Sequence, residues 1–446
     1  MRTKTFRPYD QDSLLLMPPS VRDWVEPDGL AAFISDLVDE LDLSAFLAAH
    51  DEPRGMPPYH PALMLKVLLY GYATGVRSSR RIEERLRSDV AFMYLAGQAR
   101  PDYKTISQFR RRHLSAFRSL FLDVLALCDK AGLMKLGRVA LDGTKIRANA
   151  SKHKAMSYGR MVTRETELAA QVNTILREAE ATDAAEDKLY GDARGDELPE
   201  ELRTREGRLR KIREAKEALE REAREATGNP KAVPDPKAQR NFTDPESKIM
   251  RSRTEGWVQA YNAGAVVDEK AQVIVATTLS ADPTDSRSLP ALVDAVEANP
   301  GRRPKRVFAD AGYCSNENIA HLDAAGIDGY LATGREGHGV ANPPSPRGRI
   351  PAHLTTRERM ARKLSTKCDR AHYARRKAIV EPVFGQIKEA KGFRRFSLRG
   401  LGSATGEWQL VCAVHNIGKL FRSGQASRAL PGWSPSAVRT RGWVLG

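Results

Sequence analysis

Two short apolar runs in this chain each end in an aspartate. Asp142 follows the run 139–141, and Asp310 follows the run 307–309. Apolar runs of this length predict buried β-strands. An acid at the end of a buried strand lies at an edge of the sheet, where polar side chains can meet. The chain is therefore expected to contain a sheet with at least two acids at its edge.

The order of the elements after Asp142 predicts how that sheet is built. A long charged segment comes first, followed by a β-hairpin at 264–268 and 273–278 and a helix at 286–297. Next come the strand ending at Asp310, a helix at 316–325, a strand at 329–333 and a last helix at 408–421. This order fits an α/β mixed sheet with helices on both faces. It is the order of the ribonuclease H-like fold, in which the first strand, the fourth strand and a late helix each carry an acid.

Composition and patterning divide the chain into four predicted regions. Residues 1–135 read as an all-α domain, and residues 136–421 as the ribonuclease H-like domain. Residues 157–241 are rich in Ala, Glu and Arg, with a thin apolar seam at heptad-like spacing, and predict a helical insertion after the first strand. Residues 422–446 read as a basic, flexible tail.

Glu381 is the predicted third acid. It lies in the apolar segment 378–384, which continues to Lys388 and the basic stretch 391–395. Hard cations such as Mg²⁺ prefer oxygen ligands and keep open positions for water and phosphate. We therefore predict that Asp142, Asp310 and Glu381 meet at one metal site. The alternative for a single aspartate at a strand end is a turn or a helix N-cap.

Charge predicts the class of partner. The net charge is +16, and residues 357–446 hold 19 Lys and Arg against 5 Asp and Glu. A concentrated basic field favours polyanions, chiefly nucleic acid. A solubilising surface or an acidic protein partner is the alternative.

Four scattered cysteines and the lack of a long apolar stretch predict a reducing compartment and no membrane span. No apolar leader is evident at the N-terminus. We therefore expect a cytoplasmic protein, associated with the nucleoid if DNA is its partner.

The segment 101–113 resembles the second half of a helix-turn-helix reader. A helix there could present Ser107, Gln108 and Arg111 to base edges, and Arg110 or Arg112 to phosphates. A solvated basic helix on an ordinary bundle explains the same pattern equally well.

Three segments resemble those of bacterial insertion-sequence DDE transposases. The segment 141–149 (LDGTKIRAN) resembles the family's first-aspartate segment, and residues 310–313 match its Asp-x-Gly-Tyr element. Glu381 and Lys388 match the Glu-x₆-Lys part of the Tyr-Arg-Glu-Lys signature of one branch. The stretch from His60 to His113 also resembles the family's DNA-binding region.

One departure from that signature affects the basic residues. The family spacing places Arg at 377 and Tyr at 374, where this chain has Lys377 and Ala374. Tyr373 and Arg376 stand one residue early. Lys377 shares a helical face with Glu381, as does Lys388, unless Pro382 opens the helix.

The resemblance implies a function. It implies binding of transposon inverted-repeat ends, followed by metal-dependent cleavage and transfer of DNA strands. Two Mg²⁺ ions per site are implied, with Mn²⁺ as a possible substitute, and Asp142, Asp310 and Glu381 as their ligands. Double-stranded DNA, both transposon ends and target, is the implied partner of a homodimer. The implied DNA contacts include Lys388, Lys377, Arg376, Arg394 and Arg395.

Two other functions stay open. The chain could be a catalytically inactive, transposase-derived DNA-binding regulator, or a ribonuclease H-like nuclease acting on other substrates.

Four further side chains have open roles. Asp282 and Asp285 could join the acidic site, but capping the helix that follows is favoured. Trp257 and Tyr261 could stack on a flipped base, but packing in the core or at a sheet edge is favoured.

Overall fold

A computed structural model describes residues 20–49, 57–190, 200–252, 255–334, 344–351 and 353–430. The contacts divide the chain into two compact units. The first unit comprises Met1–Phe109 and Ala426–Gly446, and the second comprises Arg110–Gln425.

Among its described residues, the first unit contains helices and no strand, and it begins with a 3₁₀ helix, Val21–Trp24. Its elements are α1 (Leu30–Glu40), α2 (Ser44–Leu47), α3 (Pro61–Ala73), α4 (Ser79–Ser88), α5 (Val90–Leu95), α6 (Tyr103–Arg112, which ends in the second unit) and α15 (Ala426–Ala429). Pro61 opens α3, where its missing N–H costs nothing. Gly75 follows α3 with φ +81°, a left-handed conformation that glycine adopts without strain.

The second unit is a mixed sheet with helices. Its helices are α7 (Ala116–Lys130), α8 (Tyr158–Tyr190), α9 (Glu200–Thr227), α10 (Leu289–Ala298), α11 (Asn316–Ala324), α12 (Thr356–Leu364), α13 (Lys367–Gly385) and α14 (Leu401–Arg422). Its strands are β1 (Arg138–Arg147), β2 (Ala155–Ser157), β3 (Gln239–Asn241), β4 (Lys248–Ser252), β5 (Gly256–Asp268), β6 (Ile274–Ser280), β7 (Arg306–Ala309) and β8 (Asp328–Leu331). Within the described ranges, no helix combines the length and apolar composition that a membrane crossing needs.

The strand β1 lies in the middle of the main sheet. The sheet runs β4-β5-β1-β7-β8, and β6 also pairs with β5. β1 is antiparallel to β5 and parallel to β7. The predicted β5–β6 hairpin and the strand that ends before Asp310 are confirmed.

Helices cover both faces of this sheet. Asp142 contacts Arg376 of α13. On β5, a Cβ added to Gly264, the partner of Gly143, would meet Leu292 of α10. Because successive side chains of a strand point to opposite faces, α13 and α10 pack on opposite sides of the sheet.

The long helices α8 and α9 form a hairpin with its own small core. Tyr158 bonds to Glu220 and Glu165 bonds to Arg213, so the two helices run antiparallel. The apolar residues between them are Met161, Leu168, Val172, Leu209, Ile212, Ala215 and Leu219. The short strands β2 and β3 pair at the base of the hairpin. Residues 191–199 of the predicted insertion lie outside the described residues.

Two of the predicted domain limits differ from the compact units. The compact units divide between Phe109 and Arg110, whereas the predicted boundary lies near residue 135. Within the second unit, α7 packs against α14. Part of the predicted flexible tail is ordered, since α15 forms and Leu430 is buried. Residues 431–446 of that tail lie outside the described residues.

Candidate active site

Asp142 lies on β1 and is largely buried. One carboxylate oxygen, Oδ1, accepts a hydrogen bond from the Gly143 amide at 2.8 Å. The other oxygen lies 3.2 Å from Nη1 of Arg376, and the Asp142 side chain is 21% exposed. Burial, and to a smaller extent the negative charge of Asp310, raise the pKa of Asp142. Arg376 and the Gly143 amide oppose this shift, and the resulting pKa is about 6.

Asp310 follows β7, the parallel neighbour of β1. Its Oδ1 accepts a hydrogen bond from the Gly312 amide at 2.9 Å and caps a 3₁₀ turn, Ala311–Tyr313. The simple alternative of a capping aspartate therefore holds, and Asp310 is also an electrostatic neighbour of Asp142. The two acids follow the stretch over which β1 and β7 pair in parallel, which explains why they lie near each other.

Arg376 comes from α13 and fills the space beside Asp142. Its side chain is 10% exposed. Tyr373, one turn earlier, donates a hydrogen bond to the carbonyl of Ala309 at 3.3 Å and holds α13 against the end of β7. The guanidinium of Arg376 is thus buried against a carboxylate, and a contact of Arg376 with DNA stays a prediction.

Glu381 is not brought together with the two aspartates. Among the residues that the structure describes, no group of three or more His, Cys, Asp or Glu side chains could hold one metal ion. Glu381 is exposed, and five residues of α-helix turn it about 140° away from Arg376. The expectation that all three acids meet is corrected: Arg376 takes the α13 position beside Asp142.

Lys388 contacts β1 through its ammonium group. It lies in a π-helical turn, Gln386–Ala390, which follows α13 and shifts the helical register. Its ammonium group donates to Oγ1 of Thr144 and, at 3.0 Å, to the carbonyl of Lys145. Burial lowers the pKa of Lys388, and the charges of Arg394 and Lys145 lower it further.

The remaining predicted basic contacts of this unit lie on its surface. Pro382 lies inside α13, so Lys377 and Glu381 are on one exposed helical face as expected. Arg394 pairs with Glu389, and Arg395 donates to Asn149 at 3.2 Å.

The predicted DNA-reading helix is α6, which follows α5 after a short turn. Gln108 and Arg111 are exposed, and Ser107 is half-buried. Arg110 is only 5% exposed. Arg110 therefore lies on the inner face of α6, whereas Arg112 is exposed, and a phosphate contact by either residue stays a prediction.

Asp285 is a residue of this region whose favoured assignment is wrong. It precedes a 3₁₀ turn but makes no side-chain capping bond. Its carboxylate instead contacts Lys145 at 3.3 Å and accepts a hydrogen bond from Asn262. No sequence pattern signals this, because Lys145 and Asp285 are 140 positions apart. Asp282, by contrast, bonds within its own loop to Thr284.

The two aromatic residues of β5 differ. Tyr261 is buried and donates to Asp244 at 2.7 Å, which confirms the packing assignment. Trp257 is 60% exposed, so it does not pack in the core.

Two family models match the chain. A transposase domain (DUF772) matches residues 19–112, and a transposase DDE domain matches residues 232–417. The second match contains Asp310, Glu381 and Lys388, whereas Asp142 and the hairpin of α8 and α9 lie between the two matched ranges. No curated protein and no solved structure matches the chain.

Proposed function

Because this chain belongs to the DDE transposases of insertion sequences, we propose that it binds transposon inverted-repeat ends and cleaves and transfers DNA strands. The proposed partners are double-stranded transposon ends and target DNA. A homodimer in the DNA complex is part of the proposal, because two ends must be processed together.

The observation that carries the proposal is that Asp142 and Asp310 are electrostatic neighbours. They follow the paired stretch of two adjacent parallel strands, and each belongs to a segment with family resemblance. The order of β6, β5, β1, β7 and β8 supports a ribonuclease H-like sheet. In that fold, the acids of the first and fourth strands serve phosphodiester chemistry.

The donor set favours a hard divalent cation such as Mg²⁺ at the two aspartates. Asp142 and Asp310 supply carboxylate oxygens, and a cation between them would relieve the repulsion that helps raise the pKa of Asp142. When bound, such ions polarise a phosphoryl oxygen and lower the pKa of a water molecule. Glu381 does not complete this set in the present arrangement, and α13 would have to turn about its axis to bring it there.

The basic residues around the aspartates would receive the DNA. Arg376 balances the charge of Asp142 when no substrate is present. Lys388, held at Thr144 and Lys145, lies on the same face of β1 as Asp142 and is poised for a phosphate. The exposed residues Arg394 and Arg395 would extend this contact along the DNA backbone.

The deciding experiment is a nicking assay on a duplex that carries a transposon end. We expect Mg²⁺-dependent nicking by the wild type and its loss in Asp142→Asn. Asp323→Asn, which changes an exposed acid of α11, is the matched control and should keep activity. Nicking that persists unchanged in Asp142→Asn would reject the site.

Product analysis separates the alternatives. A free 3′-OH joined to new DNA indicates transposition, whereas cleavage without joining indicates a nuclease. Salt-dependent DNA binding without any cleavage would identify a regulator.

A further inference from the structure

Asp285 lies across the backbone of β1, directly behind Asp142. It arrives in the loop that follows β6, and its Oδ1 meets the Lys145 ammonium at 3.3 Å. Asn262, the β5 partner of Lys145, donates to the same oxygen. The Lys145 and Asp285 side chains are 18% and 22% exposed, so both are held in a mostly buried cluster.

Two glycines leave room for this approach. A Cβ at Gly143 would lie 2.6 Å from Oδ1 of Asp285. A Cβ at Gly312 would lie 3.8 Å from Oδ2 of Asp285 and 3.1 Å from Oδ1 of Asp310. Asp285 therefore fits between the segments that carry the two site aspartates.

The pKa of Tyr313 also indicates that Asp285 lies near Asp142 and Asp310. Burial raises the pKa of Tyr313 well above its usual range, and the charges of Asp285, Asp142 and Asp310 raise it further. All three aspartates thus act electrostatically on one buried phenol.

Two lysines flank this acidic site on opposite faces of β1. Lys388 contacts Thr144 on the Asp142 face, whereas Lys145 points to the Asp285 face because neighbouring side chains alternate. A lysine that is held by a carboxylate has its ammonium group fixed in advance of substrate binding. Lysine is a common point-charge ligand for phosphate.

We propose that Lys145 binds a phosphate of the DNA strand that reaches Asp142 and Asp310, and that Asp285 positions Lys145 for this contact. The inference rests on the proposed function, because it needs DNA at this edge of the sheet. Asp285 acts only through Lys145 and does not touch the DNA.

DNA affinity measured over a range of salt concentrations gives the first test. Loss of one phosphate contact should lower the slope of log Kd against log salt concentration by about 0.9. We expect this change in Lys145→Ala, and recovery in Lys145→Arg. A wild-type slope in Lys145→Ala would overturn the inference.

A double-mutant cycle tests the positioning role of Asp285. Asp285→Asn should raise the KM for nicking less than Lys145→Ala does, and the double variant should be no worse than Lys145→Ala alone. Additive effects would mean that Asp285 acts independently of Lys145 and would overturn its assigned role.

Gly143→Ala provides a variant that leaves every charge in place. The new methyl group must displace the Asp285 carboxylate, so this variant should reproduce the KM and salt slope of Asp285→Asn. Gly137→Ala, directly before the same strand, is the matched control, because a Cβ there meets nothing within 4 Å. A Gly143→Ala protein that folds and keeps the wild-type KM would count against the inference.

The two proposals fail differently. If the wild type binds DNA in a salt-dependent way but never nicks it, the proposed function fails and the salt slopes still test Lys145. If the wild type nicks DNA and the Lys145 variants match it in slope and KM, only the inference fails.

Discussion

Asp142 is a buried acid whose neighbours act on its pKa in opposite directions. Burial and Asp310 favour the protonated form, and Arg376 favours the charged form. The outcome is a pKa of about 6, above the ordinary value of 3.8. In the absence of a cation, charging this site therefore costs folding free energy.

This conflict predicts a pH-dependent stability difference between the wild type and Asp142→Asn. Between about pH 4 and pH 6 the folded protein keeps a proton that the unfolded chain has lost, so the unfolding free energy falls as pH rises. An uncharged amide at this position does not titrate, so the unfolding free energy of the variant does not decrease for this reason as pH rises. The variant should therefore be more stable than the wild type by about 1–3 kcal/mol at pH 7, and equal to it near pH 4.

Urea unfolding in the presence of a chelator, at pH 4 to 7, measures the difference. Asp323→Asn should follow the wild type throughout. Parallel stability curves for the wild type and Asp142→Asn would show that the acid has an ordinary environment.

At the scale of elements, α13 shows which part of the site was predictable. Asp142 and Asp310 could be found because each ends an apolar run, and parallel strands bring such ends together. Glu381 could not be placed, because its orientation depends on which turn of α13 faces the sheet. Asp285 was assigned as a cap because its partners, Asn262 and Lys145, come from other strands.

The local geometry of α13 depends on a compensating hydrogen bond. Pro382 has no N–H, so the carbonyl of Ala378 lacks its usual helical donor. Gln272, at the turn of the β5–β6 hairpin, donates to that carbonyl through Nε2 at 3.0 Å. Its Oε1 also accepts from Lys419 of α14 at 2.8 Å. One side chain thereby ties the hairpin to two helices.

Gln272→Ala should destabilise the protein by about 1–2 kcal/mol, because it removes both side-chain hydrogen bonds. Gln272 has φ +58°, so Gln272→Gly should lose less than Gln272→Ala by relieving the left-handed strain. In a Pro382→Ala background, which restores the helical donor to Ala378, Gln272→Ala should cost less. Denaturant unfolding of the four variants gives the coupling, and strict additivity would contradict it.

At the scale of the whole molecule, the hairpin of α8 and α9 is an insertion in the chain between β1 and the later strands of the main sheet. It has its own apolar core, and it lies entirely between the two matched family ranges. Its composition made helices predictable from the sequence. The short β2–β3 ladder at its base was not predictable, because three-residue strands carry almost no periodic signal.

That ladder makes a clean deletion possible. Ser157 and Gln239 pair in register, so residues 158–238 can be replaced by a two-residue Asn-Gly turn that suits a β-hairpin. The sheet and the positions of Asp142 and Asp310 should be unchanged. The unfolding free energy should fall by about 1–3 kcal/mol, because Met156 and Phe242 would become exposed to solvent. Thermal unfolding and nicking of a transposon-end duplex measure the outcome, with the full chain as reference. A shortened protein that cannot fold would mean that the hairpin is part of the structural core; one that folds but forms only a monomeric DNA complex would assign the hairpin to assembly.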